Sequence, residues 1–164
     1  MRNAVFGLLI VIALALPGPA TAAGIDVPDP QLRDTCPVCG MLVARYPAWI
    51  GTVLYEDGHA DHFDGAKDLF KYLFDLPRHA PDRAADEISA IGVTEYYGLT
   101  RIDAHEAWYV IGSDVLGPMG HELVPLQTEA DAQEFMEDHQ GVRILRFEEV
   151  TPELLEGLDA GRIQ

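Results

Sequence analysis

A β-hairpin is predicted around the dipeptide Asp57-Gly58, which lies between two runs rich in β-forming residues. Asp-Gly is a strong hairpin signal because both turn positions tolerate a positive φ. The flanking runs, WIGTVLY at 49–55 and HADHF at 59–63, are therefore expected to pair as antiparallel strands. This hairpin is the first part of a unit that the following residues complete.

An amphipathic helix is predicted directly after the hairpin. The apolar side chains at positions 66, 69, 70, 73 and 74 recur at helical spacing and form one face. Asp64 is expected to cap this helix. Residues 75–87 carry two prolines and several charges and are expected to be a loop, and 88–97 is predicted to be a third strand. The first half of the chain thus follows the order ββαβ.

The second half of the chain repeats this order. A strand is predicted at 107–111, followed by a glycine-rich loop at 112–120 and a second strand at 122–126. Thr128 is expected to cap a helix, and a last strand is predicted at 142–150. The repetition lies in the order of the elements and not in residue identity.

The repeated order predicts an α+β fold, in which two homologous ββαβ units pack together and a short C-terminal helix follows. Thr151-Pro152 marks the start of that helix as N-cap and first residue. We assign 23–35 to an extended lead-in, 36–105 to the first unit and 106–164 to the second unit. Each unit alone is small for a stable core, so the two sheets are expected to pack together or join.

Residues 1–22 have the layout of a secretory signal peptide. Arg2 precedes an apolar run at 4–16, helix-breaking residues follow at 17–19, and Ala20-Thr21-Ala22 fits an A-x-A cleavage site. The run is too short for a membrane span, so an uncleaved anchor is the weaker interpretation. We therefore expect a soluble periplasmic protein, exported by a cleaved signal peptide, with no lipid-attachment cysteine at the cleavage site.

Acidic residues far outnumber basic ones. There are 27 Asp and Glu residues against 11 Lys and Arg residues, which gives a formal net charge of -16. Nucleic-acid binding is excluded, because it needs a basic stripe that displaces counterions from the phosphates. The acidic surface favours cations and docking to basic protein surfaces.

Two cysteines and a methionine, Cys36, Cys39 and Met41, lie within a stretch of six residues. Thiolate and thioether groups are soft ligands that select Cu(I) over harder ions. Gly40 leaves the backbone free to fold the three sulfur atoms around one ion. Met119 lies in the glycine-rich loop of the second unit, and we expect it to complete a Cu(I) site with Cys39 and Met41.

Three of the six histidines are candidate copper ligands because they follow the two loops. His59 and His62 come after the first turn, and His121 comes after the glycine-rich loop. His59 and His62 together with Cys36 and Cys39 also have the donor count of a structural zinc site, although the spacings fit poorly. A zinc-stabilised interaction module is therefore an alternative.

The pair Cys36 and Cys39 also allows a thiol-disulfide oxidoreductase. Such a C-x-x-C site opens a helix after a strand, where the helix dipole lowers the thiol pKa. Here a proline-rich lead-in precedes the pair, and no long helix pattern follows it. No Ser/His/Asp arrangement, phosphate loop or catalytic carboxylate pair is found, and the carboxylates are interpreted as solvated faces. The favoured interpretation is a copper-binding protein that is not an enzyme.

The motifs C-x-x-C-G-M, F-D-G before the first helix, Y-V-I-G-S, G-P-M-G and R-F-E-E-V occur in this order along the chain. The ordered set resembles the NosL family of nitrous-oxide-reductase accessory proteins over about residues 36–150. This resemblance implies a two-domain ββαβ fold and a periplasmic protein that binds Cu(I). It also implies delivery of copper for assembly of the copper-sulfide cluster of nitrous oxide reductase, alongside a membrane transporter complex.

The ligand positions of that family fall on Cys39, Met41 and Met119 of this sequence, and the first cysteine of its motif falls on Cys36. The resemblance thus implies the same three sulfur ligands, with Cys36 or a histidine completing the site. One departure from the family lies at the cleavage site. Its members typically carry a lipid-attached cysteine at the cleavage site, where this sequence has alanine.

Overall fold

The computed structural model describes residues 22–163, which contain two antiparallel β-sheets and four α-helices. The strands are β1 (Gly51–Tyr55), β2 (Ala60–Phe63), β3 (Ile88–Thr94), β4 (Arg101–Asp103), β5 (Trp108–Ile111), β6 (Val124–Leu126) and β7 (Arg143–Leu145). The helices are α1 (Ala66–Phe74), α2 (Leu76–His79), α3 (Glu129–Asp138) and α4 (Pro152–Asp159). The predicted signal peptide, residues 1–22, lies outside the described residues except for Ala22. A search of residues 22–163 finds no helix with the length and apolar character that a membrane span requires.

The first sheet has the strand order β2-β1-β3-β4 and begins with the predicted hairpin. β1 and β2 pair in an antiparallel register that sets Thr52 opposite His62. Gly58 has the positive φ, +83°, that the Asp-Gly turn requires. The extended lead-in covers the far edge of the sheet, where Gly24 forms a bridge with Ile102 of β4. The β4 edge of the sheet is thereby tied to a neighbouring chain segment.

The second sheet has the strand order β6-β5-β7 and buries both of its faces. Because side chains alternate along a strand, Tyr109 and Ile111 of β5 join the large core of the protein. Val110, between them, joins a smaller cluster with Phe135 of α3. The backbone N–H of Tyr96, just after β3, donates to a carbonyl in β6 at 2.9 Å. The two halves of the chain therefore share one core and are joined through the backbone.

Helix α1 lies between the two sheets and is buried around its N-terminal half. Leu69 covers Gly51 of β1 on one side, and the ring of Phe70 packs edge-on against Tyr109 of the second sheet at 5.4 Å between centroids. Helix α4 packs against α1 as well. Because this half of α1 is enclosed, its polar side chains Lys67 and Asp68 are also buried. Both take part in the contacts of the site described below.

The ββαβ order predicted from the sequence is present in both halves of the chain. Thr128 and Thr151 cap α3 and α4 as predicted, each accepting a hydrogen bond from a backbone N–H in the first turn. The short C-terminal helix is present as α4. The homology of the two halves and their boundaries, 36–105 and 106–164, stay predictions.

Two predicted segments differ from the structure. The expected loop at 75–87 contains the short helix α2, since Pro77 is tolerated in the first turn of a helix, where its missing N–H has no partner to lose. The expected strand at 142–150 is limited to β7 and is followed by a 3-10 turn at Phe147–Glu149. Strand β4 was not predicted, because three residues are too few to show a period.

Candidate metal centre

The cysteine motif forms one tight loop in the first half of the chain. The backbone N–H of Cys36 donates to the carbonyl of Met41 at 2.9 Å, and that of Gly40 donates to the carbonyl of Cys36 at 2.8 Å. Gly40 has a φ of +79°, in the left-handed region that favours glycine. A bridge between Thr35 and Leu42 closes the loop. The motif is therefore held by its own backbone hydrogen bonds.

Both thiols meet carboxylates at the N-terminal end of α1. The thiol of Cys39 donates to Asp64 Oδ1 at 3.2 Å, and that of Cys36 donates to Asp68 Oδ2 at 3.5 Å. One donor atom from each of the four residues lies within 4.8 Å of all the others. Cys36, Asp64 and Asp68 are buried, and Cys39 is partly buried. Within residues 22–163, no other group of three or more Cys, His, Asp and Glu side chains is close enough to hold an ion.

The thiols of this four-residue cluster are held in their protonated form. Burial raises the pKa of Cys39 to about 12; the hydrogen bond from the Met41 N–H opposes this rise, and the hydrogen bonds to Asp64 and Asp68 add to it. Burial likewise raises the pKa of Cys36 far above its usual range. Both cysteines are free thiols. At neutral pH they are hydrogen-bond donors to carboxylates rather than nucleophiles.

A buried carboxyl group from the second half of the chain caps α1. The N-cap, Gly65, has no side chain to accept a hydrogen bond, and Glu122 Oε1 accepts one from the Lys67 N–H at 2.5 Å. The same oxygen accepts the N–H of Leu123 at 3.0 Å. A Cβ atom at Gly65 would collide with Glu122 Oε2, so the pair fits together only because position 65 is glycine. Burial raises the pKa of Glu122 to about 8.

The glycine-rich loop of the second half lies against the same end of α1. Gly117 and Gly120 exchange two backbone hydrogen bonds, of 2.9 and 3.1 Å, and between them Met119 has an exposed fraction of 44%. The ammonium group of Lys67, whose side chain is completely buried, donates to the carbonyl of Met119 at 3.0 Å. Lys67 lies in the sequence between the two cluster carboxylates. Helix α1 therefore links the loop of Met119 to the thiols.

In the described part of the chain, no histidine belongs to the four-residue cluster. His59 lies on the exposed turn, with its Nε2 3.3 Å from Asp61 Oδ1. His62 is buried, with its Nδ1 3.0 Å from the hydroxyl oxygen of Thr52. His121 is partly buried, and its buried Nδ1 has no hydrogen-bond partner among residues 22–163. Of the three candidate histidines, His121 is the one with a buried ring nitrogen that has no partner among residues 22–163.

A sequence model of the NosL family matches residues 29–155. This segment contains the cysteine motif, both sheets, the four-residue cluster and the loop of Met119. The chain belongs to the NosL family. The resemblance read from the ordered motifs is thereby confirmed.

Relatives of this NosL chain include proteins from three other bacteria. The copper-binding lipoprotein NosL of Stutzerimonas stutzeri is 29% identical over 136 residues, and the match covers 75% of this chain and 65% of that protein. The crystal structure of the copper chaperone NosL from Shewanella denitrificans has a TM-score of 0.61 at 26% identity, over 83% of this chain and 99% of that one. The solution structure of apo-NosL from Achromobacter cycloclastes has a TM-score of 0.44 at 24% identity, over 66% and 87% of the two chains. The match to the Shewanella structure confirms the predicted α+β fold.

Sequence reasoning missed the carboxylates of this NosL chain's cluster. The predicted N-cap role of Asp64 is wrong, because Gly65 is the N-cap and the carboxylate of Asp64 accepts the Cys39 thiol. Asp68 was counted among solvated carboxylates but is buried. A signal was present, since Asp64 and Asp68 are four residues apart and therefore lie on the same side at the start of a helix.

Two alternative interpretations lose support in this NosL chain. The zinc site made of the two cysteines with His59 and His62 is not formed, since neither histidine shares a donor group with the thiols in residues 22–163. The oxidoreductase site lacks its context, because the 3-10 turn Val43–Arg45 follows the motif in place of a long helix. The raised thiol pKa values also oppose it, since reactive redox cysteines have lowered ones.

Proposed function

We propose that this chain is a copper chaperone, which binds Cu(I) in the periplasm and delivers it for assembly of the copper-sulfide cluster of nitrous oxide reductase. In this proposal the chain is not an enzyme. The observation that carries the proposal is the pair of thiols at the start of α1, with the loop of Met119 tied to the same helix end. Two relatives are named a copper-binding lipoprotein and a copper chaperone, which supports copper as the cargo.

Cys39, Met41 and Met119 are the proposed sulfur ligands. One thiolate and two thioethers make a soft donor set, which Cu(I) prefers over oxygen donors. Cys39 and Met41 are both partly buried, and they lie two residues apart in the tight loop. Met119 is the most exposed of the three. An ion held by this set would lie near the surface and be accessible to a partner protein.

Cys36 or a histidine is proposed to complete the coordination. Cys36 lies in the same cluster as Cys39. His121 is the favoured histidine, because its Nδ1 has no hydrogen-bond partner among residues 22–163 and it follows Met119 by two residues. His59 and His62 are the weaker candidates, since each has a ring nitrogen within 3.3 Å of another polar side chain.

Delivery is proposed to occur by ligand exchange with the partner. The exposed thioether of Met119 is the ligand that an incoming donor can replace first, while the loop of Cys39 and Met41 still holds the ion. The formal net charge of -16 supports docking to a basic partner surface. The proposed partners are the apoprotein of nitrous oxide reductase and its membrane transporter complex, as the family resemblance implies.

Export by a cleaved signal peptide, residues 1–22, is part of the proposal. A lipoprotein among the relatives supports a location outside the cytoplasm. We therefore propose a periplasmic protein whose signal peptide is removed. Mass spectrometry of the protein from the periplasmic fraction tests this, and an uncleaved N-terminus would contradict it.

The test of the copper site is an anaerobic Cu(I) titration of the reduced protein against a chromophoric Cu(I) chelator. We expect one equivalent to bind, and we expect Cys39→Ser and Met119→Ala each to lower the Cu(I) affinity by at least about tenfold, or about 1.4 kcal/mol. Leu116→Ala is the matched control, because Leu116 is also an exposed apolar side chain in the same loop. Unchanged one-equivalent binding in Cys39→Ser would refute the proposed ligand set.

A further inference from the structure

The outer edge of the first sheet, at β2, is open. β2 is the end strand of the order β2-β1-β3-β4, and no strand within residues 22–163 pairs with its outer side. The opposite edge, at β4, is covered by the lead-in, which bridges to it at Gly24. An unpaired strand edge presents backbone N–H and C=O groups to which a further extended chain can bond.

The register shows which backbone groups of β2 point outward. The N–H of Tyr55 donates to the carbonyl of His59 at 2.9 Å, so these two residues form a hydrogen-bonded pair. Such pairs alternate along an antiparallel ladder, so the next residue of β2 that bonds to β1 is Asp61. The backbone N–H and C=O groups of Ala60 and His62 therefore point away from β1. Beyond the β1 ladder, no backbone group of residues 22–163 bonds to them.

A groove runs between this edge and the end of the lead-in. Residues 58–62 line one side of it, and lead-in residues between positions 28 and 35 line the other. Its volume is about 510 Å³, and Ala60 and His62 are both part of the lining. Each residue of a strand rises about 3.4 Å, so the edge of β2 takes about four residues of an extended chain.

The lining of the groove is acidic. It contains the carboxylates of Asp29, Asp34 and Asp61 against the guanidinium group of Arg33. Arg101, which lies outside the groove, offsets the charge of Asp29 at 3.2 Å. Asp34 and Asp61 form no ion pair with a lysine or arginine of residues 22–163. Opposite charges select partners at an interface, so this lining favours a basic chain and disfavours the β2 edge of a second copy.

The carboxylates of Asp34 and Asp61 lie on opposite faces of the sheet. Asp61 accepts the hydroxyl of Tyr72, in α1, at 2.5 Å. His62 points to the other face, because successive side chains of a strand alternate, and its Nε2 lies 4.0 Å from Asp34 Oδ2. Two consecutive basic residues of an added strand would also point to opposite faces, and each would approach one carboxylate.

We propose that the β2 edge binds an extended segment of a partner protein that carries adjacent lysine or arginine residues. The segment adds a fifth strand to the first sheet, bonds to the backbone of Ala60 and His62, and pairs its basic side chains with Asp34 and Asp61. Backbone pairing supplies affinity in this mode of recognition, and the side chains supply specificity.

The bound segment lies beside the proposed copper site. Thr35 lines the groove and precedes Cys36. β2 ends just before Asp64, whose carboxylate accepts the thiol of Cys39. A partner held at this edge is therefore close to the cysteine loop. That this partner is the protein that receives the copper rests on the proposed function, whereas the strand addition does not.

The test is an NMR titration of the reduced, ion-free protein at low ionic strength. The probe is the peptide acetyl-Thr-Val-Lys-Lys-Val-Thr-amide. We expect the amide signals of Ala60 and His62 to shift and their hydrogen exchange to slow by roughly tenfold at saturation. The same peptide with glutamates in place of the lysines is expected not to bind. Absence of binding by the lysine peptide, or shifts confined to other parts of the chain, would overturn the proposal.

A peptide with N-methyl groups on the backbone nitrogens of both lysines separates strand addition from charge attraction. It keeps both ammonium groups but loses the N–H of the lysine that faces the edge. We expect its affinity to be lower by at least about tenfold, since backbone hydrogen bonds to the edge are lost. Equal affinity of the two peptides would show that charge alone binds them and would overturn the added strand.

Ala60→Pro tests the edge from the side of the protein. It removes an outward N–H and places the proline ring at the groove, and an edge strand tolerates proline where the N–H faces solvent. We expect at least about tenfold weaker binding of the lysine peptide, with circular dichroism showing an unchanged fold. Ala60→Ser keeps the N–H and is the matched control. Equal affinity in the two variants would contradict the proposal, as would a dimer in sedimentation that Ala60→Pro abolishes.

Copper measurements on the same variants separate the two proposals. Ala60→Pro is expected to bind Cu(I) as the unmodified protein does, because Ala60 is not among the proposed ligands. Transfer of Cu(I) to the apoprotein of nitrous oxide reductase is expected to be at least about tenfold slower from Ala60→Pro than from Ala60→Ser. Equal transfer rates would refute the copper acceptor as the partner. Failure of the protein to bind Cu(I) would refute the copper site and leave the strand addition standing.

Discussion

The carboxyl group of Glu122 accepts a hydrogen bond from the backbone N–H of Lys67 at 2.5 Å, and so a residue of the second half caps a helix of the first. Gly65 makes room for it, and the ammonium of Lys67 in turn holds the carbonyl of Met119. The start of α1 is thus one of the points at which the two halves of the chain are joined. The thiol cluster lies at the same point.

Replacing Glu122 by Gln is expected to flatten the dependence of stability on pH. Burial raises the folded-state pKa of Glu122 from 4.5 to about 8, so folding favours the protonated carboxyl. Its contribution to stability is complete below about pH 4.5 and is lost as the pH rises through 8. Within this window the free energy of unfolding of the unmodified protein falls by up to about 1.4 kcal/mol per pH unit relative to Glu122→Gln.

The measurement is urea unfolding of both proteins at several pH values across this window. Glu122→Gln copies the protonated carboxyl, so the two proteins are expected to have equal stability at the acid end. Above the folded-state pKa, Glu122→Gln is expected to be the more stable. Parallel stability curves over the whole window would show that the carboxyl group does not titrate there.

Gly65→Ala is expected to destabilise the protein through one contact. The new Cβ would collide with Glu122 Oε2, and overpacking of this kind costs about 1 to 3 kcal/mol. The φ of Gly65 is −174°, an extended conformation that alanine also adopts, so backbone strain is not involved. Urea unfolding of Gly65→Ala measures the loss.

A double-mutant cycle with Glu122→Ala isolates that contact. In the Glu122→Ala background, Gly65→Ala is expected to lower the free energy of unfolding by less than it does in the unmodified protein. The difference between the two losses is expected to be about 0.5 to 3 kcal/mol. Additive losses in the cycle would mean that Gly65 and Glu122 do not interact.

Lys67→Met is expected to loosen the glycine-rich loop. The substitution removes the hydrogen bond to the carbonyl of Met119, which contributes about 1.5 kcal/mol or more because the donor is charged. Hydrogen exchange at the amides of Gly117 and Gly120, which are bonded to each other's carbonyls, is expected to speed up by roughly tenfold. NMR detection resolves the two amides.

The control for the loop is Lys71→Met. The ammonium groups of Lys67 and Lys71 both lie about 3 Å from Asp159, but only that of Lys67 donates to the loop. Lys71→Met is therefore expected to leave exchange at Gly117 and Gly120 unchanged. Equal acceleration in both variants would point to a general loss of stability and against the loop contact.

Alkylation of the cysteines by iodoacetamide is expected to be slow in the folded protein. Only the thiolate reacts, and a pKa of about 12 for Cys39 leaves roughly a thousandfold less thiolate than a free cysteine has near pH 8. Cys39 is expected to react before Cys36, which is 1% exposed. Mass spectrometry follows both sites, with urea-unfolded protein as the control for full reactivity. Rapid labelling at neutral pH would instead support the oxidoreductase alternative.

The elements of the fold were predictable because their signals are local. Turn chemistry at Asp57-Gly58 and the caps Thr128 and Thr151 each act within a few residues, and the structure contains all three. Strand β4 was not predicted, because its three residues show no periodic pattern. Its formation depends on the neighbouring strand β3, with which it pairs.

The candidate site was predictable only in part. The soft donors of the cysteine motif lie within six residues and can be read directly, and the ligand roles of Met41 and Met119 stay predictions. The carboxylates were not predictable, because Cys36 and Asp68 are 32 residues apart and meet through tertiary packing. Asp68 is buried because α1 lies between two sheets, and no local pattern encodes that.

The cysteines of the ion-free protein each hold a hydrogen that points to a carboxylate. An ion that binds through sulfur displaces these hydrogens, so loading is accompanied by acid release. The heat of loading in a calorimeter will therefore change with the ionisation enthalpy of the buffer. By the same linkage, a lower pH favours protonation of the thiols and therefore release of the bound ion.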